Sequence, residues 1–524
     1  MAIWKAYNIK NPQLKINIFE DNYEQTFKIT KLKKDESNDI LSFFKVQKQE
    51  SNVSNVSSLI LNLKSINQKY LYMKGNNIVV VSNKNTKNVL EALIKRFTVN
   101  KYVKPNQIKR KSDVITLYRH ETHVKNNEIM TKYYFPCRPF LFHQIVKNFG
   151  QCGGILDLKF NGKLRDYQGP CCERILNYLI NSSCHSCILK ADPGCGKTIM
   201  ILYMISALKK KTIIIVPNLK LLSQWEARIK EFIPQAKIGV LQGKKRPSND
   251  ADVCIASIHT LARLKSCDPL LIEYQFAVVD EVHHISANLF SKSLFVLSSR
   301  YLLGASATIT RPDRTDAFIE LLIGPVAYEL KSKTQADVHI IQIQHQQGIF
   351  PHKRYPSENV FNVGLNLLEK CTARHQLIIK LIKDLIKNKK NRIIAISRRL
   401  GIVNNLYHDL QTFTQDVGII TGKKVSNNAI KKQILLGSSQ CLGEGFDDST
   451  RNILLMLSPV KGMQNENGEN IGGELLEQIT GRILRTTTQN ATIYDIVDDN
   501  TMFKSMISGR IRFYNYKGWH INYI

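Results

Sequence analysis

The stretch Cys187–Leu208, CILKADPGCGKTIMILYMISAL, decides the fold, because its pattern predicts a strand, a glycine-rich loop and a helix in immediate succession. This order is typical of the first unit of a parallel α/β sheet. From Ala191 to Thr198 the loop fits the phosphate-binding pattern G-x-x-x-x-G-K-[ST], except that alanine occupies the first position. Alanine is also small, so the loop is predicted to bind a nucleotide; the alternative is a glycine-rich turn without a ligand.

Each part of this loop has a chemical reason. Gly194 and Gly196 allow the backbone to curl so that its N–H groups face a phosphate, beside the positive end of the helix. Lys197 is predicted to reach the β- and γ-phosphates, and the Thr198 hydroxyl to ligate Mg²⁺. The predicted nucleotide-binding residues of the loop are Ala191, Asp192, Pro193, Gly194, Cys195, Gly196, Lys197 and Thr198.

A second motif, FAVVDEVHH at residues 276–284, predicts a buried strand that ends in two carboxylates. Asp280 would hold Mg²⁺ through water, and Glu281 would polarise the attacking water. His283 and His284 lie in the following turn, where His284 could sense the γ-phosphate or relay to the next lobe. An isolated Asp-Glu pair would be a solvated strand end, but its place after the phosphate loop favours a catalytic pair.

A third motif, QITGRILR, begins at Gln478 and predicts an amphipathic helix. Arg482 and Arg485 are three residues apart and therefore share a face. Arginine at a developing phosphoryl charge accelerates its transfer by orders of magnitude. The alternative is a solvated basic face.

Outside these motifs, short β-branched runs alternate with amphipathic stretches from about Leu164 onward, and the pattern fades at about 330–375 before it restarts. We therefore predict an α/β protein with two tandem doubly wound parallel-sheet lobes, at 151–335 and 336–524. Residues 1–150 are predicted to form a small basic α+β accessory domain. KYLYMKGNNIVVVS predicts a hairpin there, and NTKNVLEALIKRF a helix capped by Asn85 or Thr86.

The charge balance indicates a polyanionic partner. The chain has 74 Lys and Arg against 43 Asp and Glu, a net charge of +31, and residues 51–150 hold 17 against 4. Nucleic acid is the simplest such partner, although the coding bias of an AT-rich genome would also raise the lysine content.

Cysteine spacing and hydropathy bear on the compartment. The 11 Cys show no framework spacing, no apolar run approaches the ~18–20 residues of a membrane span, and no signal peptide opens the chain. A soluble protein in a reducing compartment is expected, without a membrane partner. Zinc at Cys184 and Cys187, with Cys171 and Cys172 upstream, is the weaker alternative.

With these motifs in this order, the chain resembles the superfamily 2 helicases, which have two RecA-like lobes, over residues 165–515. LRDYQ resembles the segment that contacts adenine, VPNLKLLSQW and IASIHTL resemble strand-tracking motifs, and GASATITRPD resembles the motif that couples the lobes. IIAISRRL, GIITGK and LGEGFD resemble motifs of the second lobe. SATITRPDR and RIRFYNYKGWHI resemble the XPB-like DNA translocases, and the chain resembles the transcript-release helicases of poxviruses and African swine fever virus.

The resemblance implies roles by position. Gln168 would contact adenine, and Gly445 and Asp447 would contact both the nucleotide and the nucleic-acid strand. Gln478 would position the attacking water or the γ-phosphate, and Arg485 would be the arginine finger. Ser306 and Thr308 would couple the lobes. The implied nucleic-acid contacts are Pro217, Asn218, Gln224, Trp225, Ser257, His259, Thr260, Ser397, Arg398, Thr421 and Gly422.

One departure concerns strand separation. XPB-like members carry an Arg-Glu-Asp element in the first lobe, and the corresponding region here, GVLQGKKRPSNDAD, lacks it. The device that would part the strands is therefore left unassigned by the sequence.

The expected function is an ATP- and Mg²⁺-dependent motor that moves on or unwinds single-stranded or duplex DNA. Viral transcription, at transcript release, or repair is the expected process, with transcription or replication machinery as partners. We expect a monomer in the cytoplasm, meaning host cytoplasm or virion for a viral protein. The alternatives are an RNA helicase, a duplex translocase without strand separation, and an inactive motor that binds through its basic N-terminal part.

Overall fold

The computed structural model describes residues 71–100, 114–136 and 155–524. Within that span it leaves out 75–76, 126–127, 183–184, 265–268, 283–286, 308, 310–316, 332–334, 346–356, 423–424, 444–447, 449, 463, 467–468, 472–473, 485–490 and 500. Of the helices in the described part, none combines the length and apolar character needed to cross a bilayer.

The described N-terminal part is a four-stranded antiparallel sheet with the strand order β1-β2-β6-β5. One helix follows β2, and Val89, Leu90 and Leu93 of that helix are buried. The predicted hairpin is confirmed, since Lys74 pairs with Asn77. The elements are β1 Leu71–Lys74, β2 Asn77–Val81, α1 Lys87–Arg96 with N-cap Thr86, β3 Thr98–Asn100, β4 Val114–Thr116, β5 Arg119–Lys125 and β6 Glu128–Pro136.

The first lobe is a seven-stranded parallel sheet with the order β13-β7-β12-β11-β8-β10-β9. Its central strands are buried on both faces, which explains their continuous apolar sequences. The elements are α2 Gln168–Asn181, β7 Ser186–Ala191, α3 Lys197–Leu208, β8 Thr212–Val216, α4 Leu219–Phe232, β9 Ile238–Leu241, β10 Val253–Ser257, α5 Ile258–Leu261, α6 Pro269–Ile272, β11 Phe276–Asp280, α7 Ala287–Leu294, β12 Tyr301–Ser306, α8 Ala317–Ile323 and β13 Val326–Leu330.

The second lobe repeats the architecture, with the strand order β16-β17-β15-β18-β21-β14-β22, again all parallel. Its elements are β14 Ala336–Ile343, α9 Ser357–Lys370, α10 Thr372–Ile386, β15 Ile393–Ser397, α11 Leu400–Gln411, β16 Val417–Ile420, β17 Ile434–Ser438, α12 Ser439–Gly443, β18 Ile453–Met456, the hairpin β19 Gln464–Glu466 and β20 Glu469–Ile471, α13 Glu474–Thr480, β21 Ala491–Asp498, α14 Thr501–Tyr516 and β22 His520–Tyr523.

The two sheets confirm the predicted fold class. The predicted fading at 330–375 is wrong in part, since β14 and α9 lie within it. β14 was missed because its alternating pattern, ADVHIIQI, differs from the continuous apolar runs of its neighbours. The strands of one sheet end at Leu330 and those of the other begin at Ala336, while the predicted domain limits themselves stay a prediction.

Candidate nucleotide site and nucleic-acid interface

Three of the predicted motifs meet at one edge of the first sheet. The phosphate loop follows β7, Asp280 ends β11, and Ser306 ends β12, which lies between those two strands. Because the strands are parallel, their carboxyl ends share an edge, and this is where ligands bind in such sheets. The sheet order therefore brings the phosphate loop and the carboxylate pair together.

The phosphate loop has the backbone that a cradle requires. Gly194 and Gly196 have φ values of 85° and 80°, the left-handed region that favours glycine. A Cβ added at Gly196 would also collide with the side chain of Gln168. Helix α3 begins at Lys197, so its N-terminal N–H groups face the same loop. The geometry and the donor set fit a bound phosphate.

Gln168 holds the loop to the first residues of α2. Its Nε2 donates to the Cys195 carbonyl at 2.8 Å, and its Oε1 accepts from the Arg165 N–H at 2.9 Å. Only 3% of Gln168 is exposed. Both amide atoms are thus engaged by the backbone, which assigns Gln168 a part in shaping the cradle. Its predicted contact with adenine stays a prediction.

The alanine at the first loop position lies inside the fold. Ala191 is fully buried in the first-lobe core, and its carbonyl accepts from Lys197 Nζ at 3.0 Å. This buried position accommodates only a small side chain, and the carbonyl of Ala191 holds Lys197 through a hydrogen bond across the loop. The departure from glycine therefore leaves the cradle intact.

Asp280 is a buried carboxylate held by two donors. The indole N–H of Trp225 donates to Oδ2 at 2.8 Å, and the Glu281 N–H donates to Oδ1 at 3.0 Å. Burial, and next the neighbouring Glu281 carboxylate, raise the pKa of Asp280 to about 7. Glu281 has a φ of 48°, an uncommon backbone conformation for a residue with a side chain. Perturbed acids and strained backbone are frequent at functional sites.

Trp225 is not at the protein surface, where the resemblance to the helicases implied a contact with nucleic acid. It was predicted to contact nucleic acid, but it is 2% exposed and packs in the first-lobe core. In this structure it presents no surface to a strand. Its indole N–H donates to Asp280, the carboxylate that is predicted to bind metal, so Trp225 belongs to the candidate nucleotide site. The motif VPNLKLLSQW carried no signal for this, because the partner is 55 residues away.

The second lobe reaches the phosphate loop through Lys517, a residue that the sequence did not single out. Its Nζ donates to Asp192 Oδ2 at 2.9 Å and to Glu477 Oε1 at 2.8 Å. The three side chains are 12–13% exposed. Burial alone would lower the pKa of Lys517, but the carboxylates of Glu477 and Asp192 raise it. We call these three residues the interlobe bridge.

The interlobe bridge places α13 against the phosphate loop. Glu477 directly precedes Gln478, and Gly481 lies so close to Pro193 that an added Cβ would collide with it. The helix predicted from Gln478 is wrong in part, because α13 ends at Thr480 and residues 481–484 form a turn. Arg482 lies in that turn and is half-buried. The third motif therefore meets the first across the lobes.

Several predicted residues lie outside the part of the chain that the structure describes. These are His283, His284, Thr308, Gly445, Asp447 and Arg485. Ser306 is fully buried at the end of β12. Cys184 of the alternative zinc site is also outside, and among the described residues no three His, Cys, Asp or Glu side chains gather as a metal site.

The residues predicted to contact nucleic acid follow the carboxyl ends of strands in both sheets. Pro217 follows β8, Ser257 ends β10, Ser397 ends β15 and Thr421 follows β16. His259, Arg398 and Gly422 are exposed, and Pro217, Asn218 and Gln224 are half-buried, whereas Ser257, Thr260, Ser397 and Thr421 are buried.

Some of these polar groups have structural partners. Asn218 caps α4 by accepting from the Leu221 N–H at 2.9 Å, and Thr260 accepts from the Gly243 N–H at 2.9 Å. Nucleic-acid contacts at all these positions stay a prediction.

Comparison with known proteins agrees with this site. The family model described as "Type III restriction enzyme, res subunit" matches residues 161–311, which include the phosphate loop and both carboxylates. A mimivirus protein named "Putative ATP-dependent RNA helicase L396" is 27% identical over 385 residues, covering 70% of each chain.

Two further relatives extend the comparison. "Putative ATP-dependent RNA helicase QP509L" of African swine fever virus is 25% identical over 362 residues, covering 64% of this chain and 69% of its own. "DNA 3'-5' translocase XPB2" of Sulfurisphaera tokodaii is 28% identical over 254 residues, covering 46% of this chain and 55% of its own. These similarities identify an ATP-hydrolysing enzyme. With its two parallel seven-stranded sheets, the chain is similar to the helicases named for large DNA viruses and to the XPB-like helicases.

Proposed function

We propose that this helicase couples ATP hydrolysis to movement along DNA and to the separation of its strands, in viral transcription at transcript release or in repair. The observation that carries the motor is the interlobe bridge, because it makes one nucleotide site out of two lobes. A site completed by two bodies converts a change in the nucleotide into a change in their separation.

The roles of the chain's own groups follow from the geometry. The loop N–H groups and Lys197 hold the phosphates, and Lys197 exchanges the Ala191 carbonyl for a phosphate oxygen. Thr198 and Asp280 would hold Mg²⁺, which would neutralise phosphate charge. Trp225 keeps the Asp280 carboxylate in place. Glu281 would orient the attacking water, α13 would present Gln478 to the γ-phosphate, and the turn that follows α13 would present Arg482. Arg485 stays the arginine finger that the resemblance implies.

Movement would come from the cycle of lobe closure. Nucleotide between the phosphate loop and α13 adds contacts across the lobes, and loss of the γ-phosphate removes them. A strand gripped at its phosphates by the exposed residues of both lobes would then advance stepwise, with little reading of bases.

The preference for DNA is supported by charge and by one relative. The net charge of +31 suits a phosphate backbone, and the Sulfurisphaera protein is named a DNA translocase. The mimivirus and African swine fever virus proteins are named RNA helicases, so RNA is the second candidate substrate. A duplex translocase that does not part strands is the third. We further propose that the protein acts as a monomer in host cytoplasm or in the virion, recruited by transcription or replication machinery.

The test is steady-state ATP hydrolysis without nucleic acid, with single-stranded DNA, with duplex DNA and with RNA of matched sequence. Lys197→Ala is measured beside the wild type. Strong stimulation by DNA, absent in Lys197→Ala, supports the proposal, and stimulation by RNA alone would overturn it. Displacement of a strand from a tailed duplex, compared with displacement of a triplex strand, distinguishes unwinding from translocation alone.

A further inference from the structure

Cations collect at one edge of the second-lobe sheet. The segments that precede β15, β17 and β16 lie together at the amino edge, because these strands are neighbours and run parallel. Helix α10 ends at the same edge, because it leads into β15. We call the cations of these segments the basic edge, which consists of Lys383, Lys387, Lys389, Lys390, Arg392, Lys431 and Lys432.

The basic edge faces solvent. Its lysines are exposed, apart from the half-buried Lys432, and Arg392 is also half-buried. Cations stabilise the end of a helix, which accounts for Lys383 in the last turn of α10. The helix end does not account for Lys389 and Lys390, which lie in the loop beyond it.

The nearby acidic groups leave most of this charge uncompensated. Three carboxylates of this edge already have cationic partners at 2.7–2.8 Å, in the pairs Asp384–Lys387, Asp409–His375 and Asp448–Arg451. In the part of the chain that the structure describes, Lys387 is the one cation of the basic edge that joins an ion pair. Asp416, directly before β16, is a further exposed carboxylate.

The amino edge of the first lobe has a different arrangement. The residues shortly before β8, β9, β10 and β11 carry both signs, with Lys209, Lys210, Lys211 and Lys237 against Asp250, Asp252 and Glu273. Lys211 pairs with Glu273, and Lys237 pairs with Asp250 at 3.1 Å. A coding bias toward lysine would act on both lobes, so it does not explain an edge that is basic in one lobe only.

Hydrogen bonds to the backbone fix the loops of the basic edge. The Arg392 guanidinium donates to the Ile430 and Lys431 carbonyls, both at 3.1 Å. Lys432 Nζ donates to the Gln415 carbonyl at 2.9 Å. The loops before β15, β17 and β16 are thereby joined. An ordered array of cations loses less conformational freedom on binding than lysines on separate loops do.

Two apolar side chains lie among the cations. Phe413 is 37% exposed, and its ring centre lies 4.3 Å from Lys383 Nζ. Ile430, next to Lys431, is 49% exposed. Surfaces that bind nucleic-acid strands combine cations for the phosphates with apolar groups for the bases. This combination favours nucleic acid over an acidic protein segment, whose charges come without flat apolar bases.

The basic edge is separate from the sites described above. β15 and β17 have five residues each, so about 16 Å separates the basic edge from the carboxyl edge that is predicted to contact nucleic acid. The interlobe bridge uses Lys517, just before β22. Four strand spacings, about 19 Å, lie between β15 and β22.

We propose that the basic edge is a second nucleic-acid-binding surface, which holds the phosphate backbone of the substrate outside the strand path predicted at the carboxyl edges. This inference rests on the proposed function, because that function makes nucleic acid the substrate. A motor whose lobes release the strand in each cycle gains from a second contact, which keeps the effective concentration of the strand high while the first contact is open.

The test removes charge from the basic edge without changing its loops. The test variant replaces three exposed lysines by glutamine, as Lys389→Gln, Lys390→Gln and Lys431→Gln. The matched control removes the same charge from three exposed lysines of the first lobe, as Lys159→Gln, Lys230→Gln and Lys237→Gln. Urea titration of both variants checks that the fold is kept.

The first readout is binding, which needs no ATP hydrolysis. Fluorescence anisotropy follows the binding of a labelled DNA single strand, a DNA duplex and an RNA strand of matched sequence over a range of salt concentrations. Each lysine–phosphate contact contributes about 0.7–0.9 to the slope of log affinity against log salt. We expect the test variant to lose about 2–3 from that slope and at least about tenfold in affinity at about 0.1 M salt, while the control stays within about twofold of wild type.

Each binding outcome has a distinct meaning. A loss on any of the three nucleic acids supports the proposal and identifies the form that the basic edge holds. A loss on RNA alone supports the basic edge and overturns the DNA preference of the proposed function. Wild-type affinity and slope in the test variant, or equal losses in both variants, would overturn the proposal. A loss of binding to labelled polyglutamate, with none to nucleic acid, would overturn it in favour of an acidic protein partner.

The second readout separates this surface from the motor's own contacts. We expect the test variant to dissociate from the nucleic acid at least about tenfold faster, measured by chasing with unlabelled competitor. Its ATP hydrolysis, both basal and at saturating nucleic acid, should stay within about twofold of wild type, because the basic edge is remote from the nucleotide site. A fall in saturated hydrolysis as large as the fall in affinity would overturn the proposal, because it would place these lysines in the motor's own strand path.

Discussion

In the first lobe the buried carboxylates lie at the loop edge beside the phosphate loop, whereas in the second lobe buried charges lie inside as arginine–aspartate pairs. Asp192 and Asp280 represent the first arrangement. Arg374 with Asp498, and Arg510 with Asp495, represent the second, and each pair joins at 2.7 Å. The first-lobe carboxylates lie at the predicted nucleotide site, where Asp192 also belongs to the interlobe bridge, whereas the second-lobe pairs join elements of one lobe.

The second-lobe arginines brace one loop. Arg374 donates to the Leu457 carbonyl and Arg510 to the Val460 carbonyl, both at 2.8 Å. These carbonyls follow β18 at the carboxyl edge of the sheet, where Ser458 accepts from the Arg398 N–H at 2.9 Å. The comparison shows that buried ion pairs hold the edge of the second lobe that is predicted to contact nucleic acid. A rigid edge suits a surface that pulls on a nucleic-acid strand.

The largest expected effect is on stability. Arg510→Met leaves Asp495 buried without its cation and should lower the free energy of unfolding by about 3–5 kcal/mol. Arg228→Met, which breaks an exposed pair with Glu231, should cost less than about 1 kcal/mol. Urea titration followed by circular dichroism measures both. Equal urea midpoints for Arg510→Met and Arg228→Met would show that the buried pair contributes no more to stability than the exposed pair.

The second largest expected effect is a loss of catalysis with little change in the free energy of unfolding. Lys197→Ala should reduce ATP hydrolysis by about 100-fold or more, since it removes a cation from the phosphate site. Its single described hydrogen bond, to the Ala191 carbonyl, is worth about 1 kcal/mol of folding stability. The same urea titration serves as the check. A midpoint as low as that of Arg510→Met would contradict the division between the lobes.

A third prediction concerns the junction of the two arrangements. Lys517→Met leaves the Asp192 and Glu477 carboxylates facing each other, so α13 should move from the phosphate loop and kcat should fall by about tenfold. Adding Glu477→Gln should recover part of the loss, because it removes the repulsion.

The matched control for the interlobe bridge is Lys331→Met. Lys331 lies 5.4 Å from the Tyr516 ring, is exposed and lies near the same junction. Its kcat should stay within about twofold of wild type. If the Lys331 and Lys517 variants lose activity equally, the bridge has no particular role in placing α13.

The smallest expected effect tests whether the phosphate loop stays closed. Burial is the main cause that raises the pKa of Cys195 to about 11. Its thiolate, the reactive form, is therefore scarce at pH 8 and becomes available only as pH rises toward that value. Iodoacetamide followed by peptide mapping should modify the half-buried Cys441 before Cys195. Equal rates would show that the loop edge of the first lobe opens in solution.

Local sequence was sufficient for the parts of the site that lie within one strand–loop–helix unit. The loop at Ala191–Thr198 and the strand that ends at Asp280 carry glycines, carboxylates and apolar runs whose meaning does not depend on distant residues. The fold class followed from the same runs, because strands buried on both faces have no alternation.

Contacts between distant segments could not be predicted in this way. Lys517 looks like any surface lysine in RFYNYKGWHI, and its meaning comes from residues 40 and 325 positions away. The resemblance assigned Trp225 to contact with the nucleic-acid strand. A buried indole needs an acceptor for its N–H, but the sequence does not show that Asp280 is that acceptor. The extension of the β5–β6 ladder past β2 could not be predicted either, because only the observed pairing shows it.

The contact between Trp225 and Asp280 has an optical consequence. The chain has 3 Trp, and two of them flank the nucleotide site from opposite lobes: Trp225 touches Asp280, and Trp519 lines a cavity with Asp192 and Lys517. Indole emission responds to nearby charge and to hydrogen bonding at the ring nitrogen. The protein thus contains an unlabelled fluorescent reporter in each lobe, and replacing one tryptophan at a time by phenylalanine would let a stopped-flow record assign each phase of nucleotide binding to a lobe.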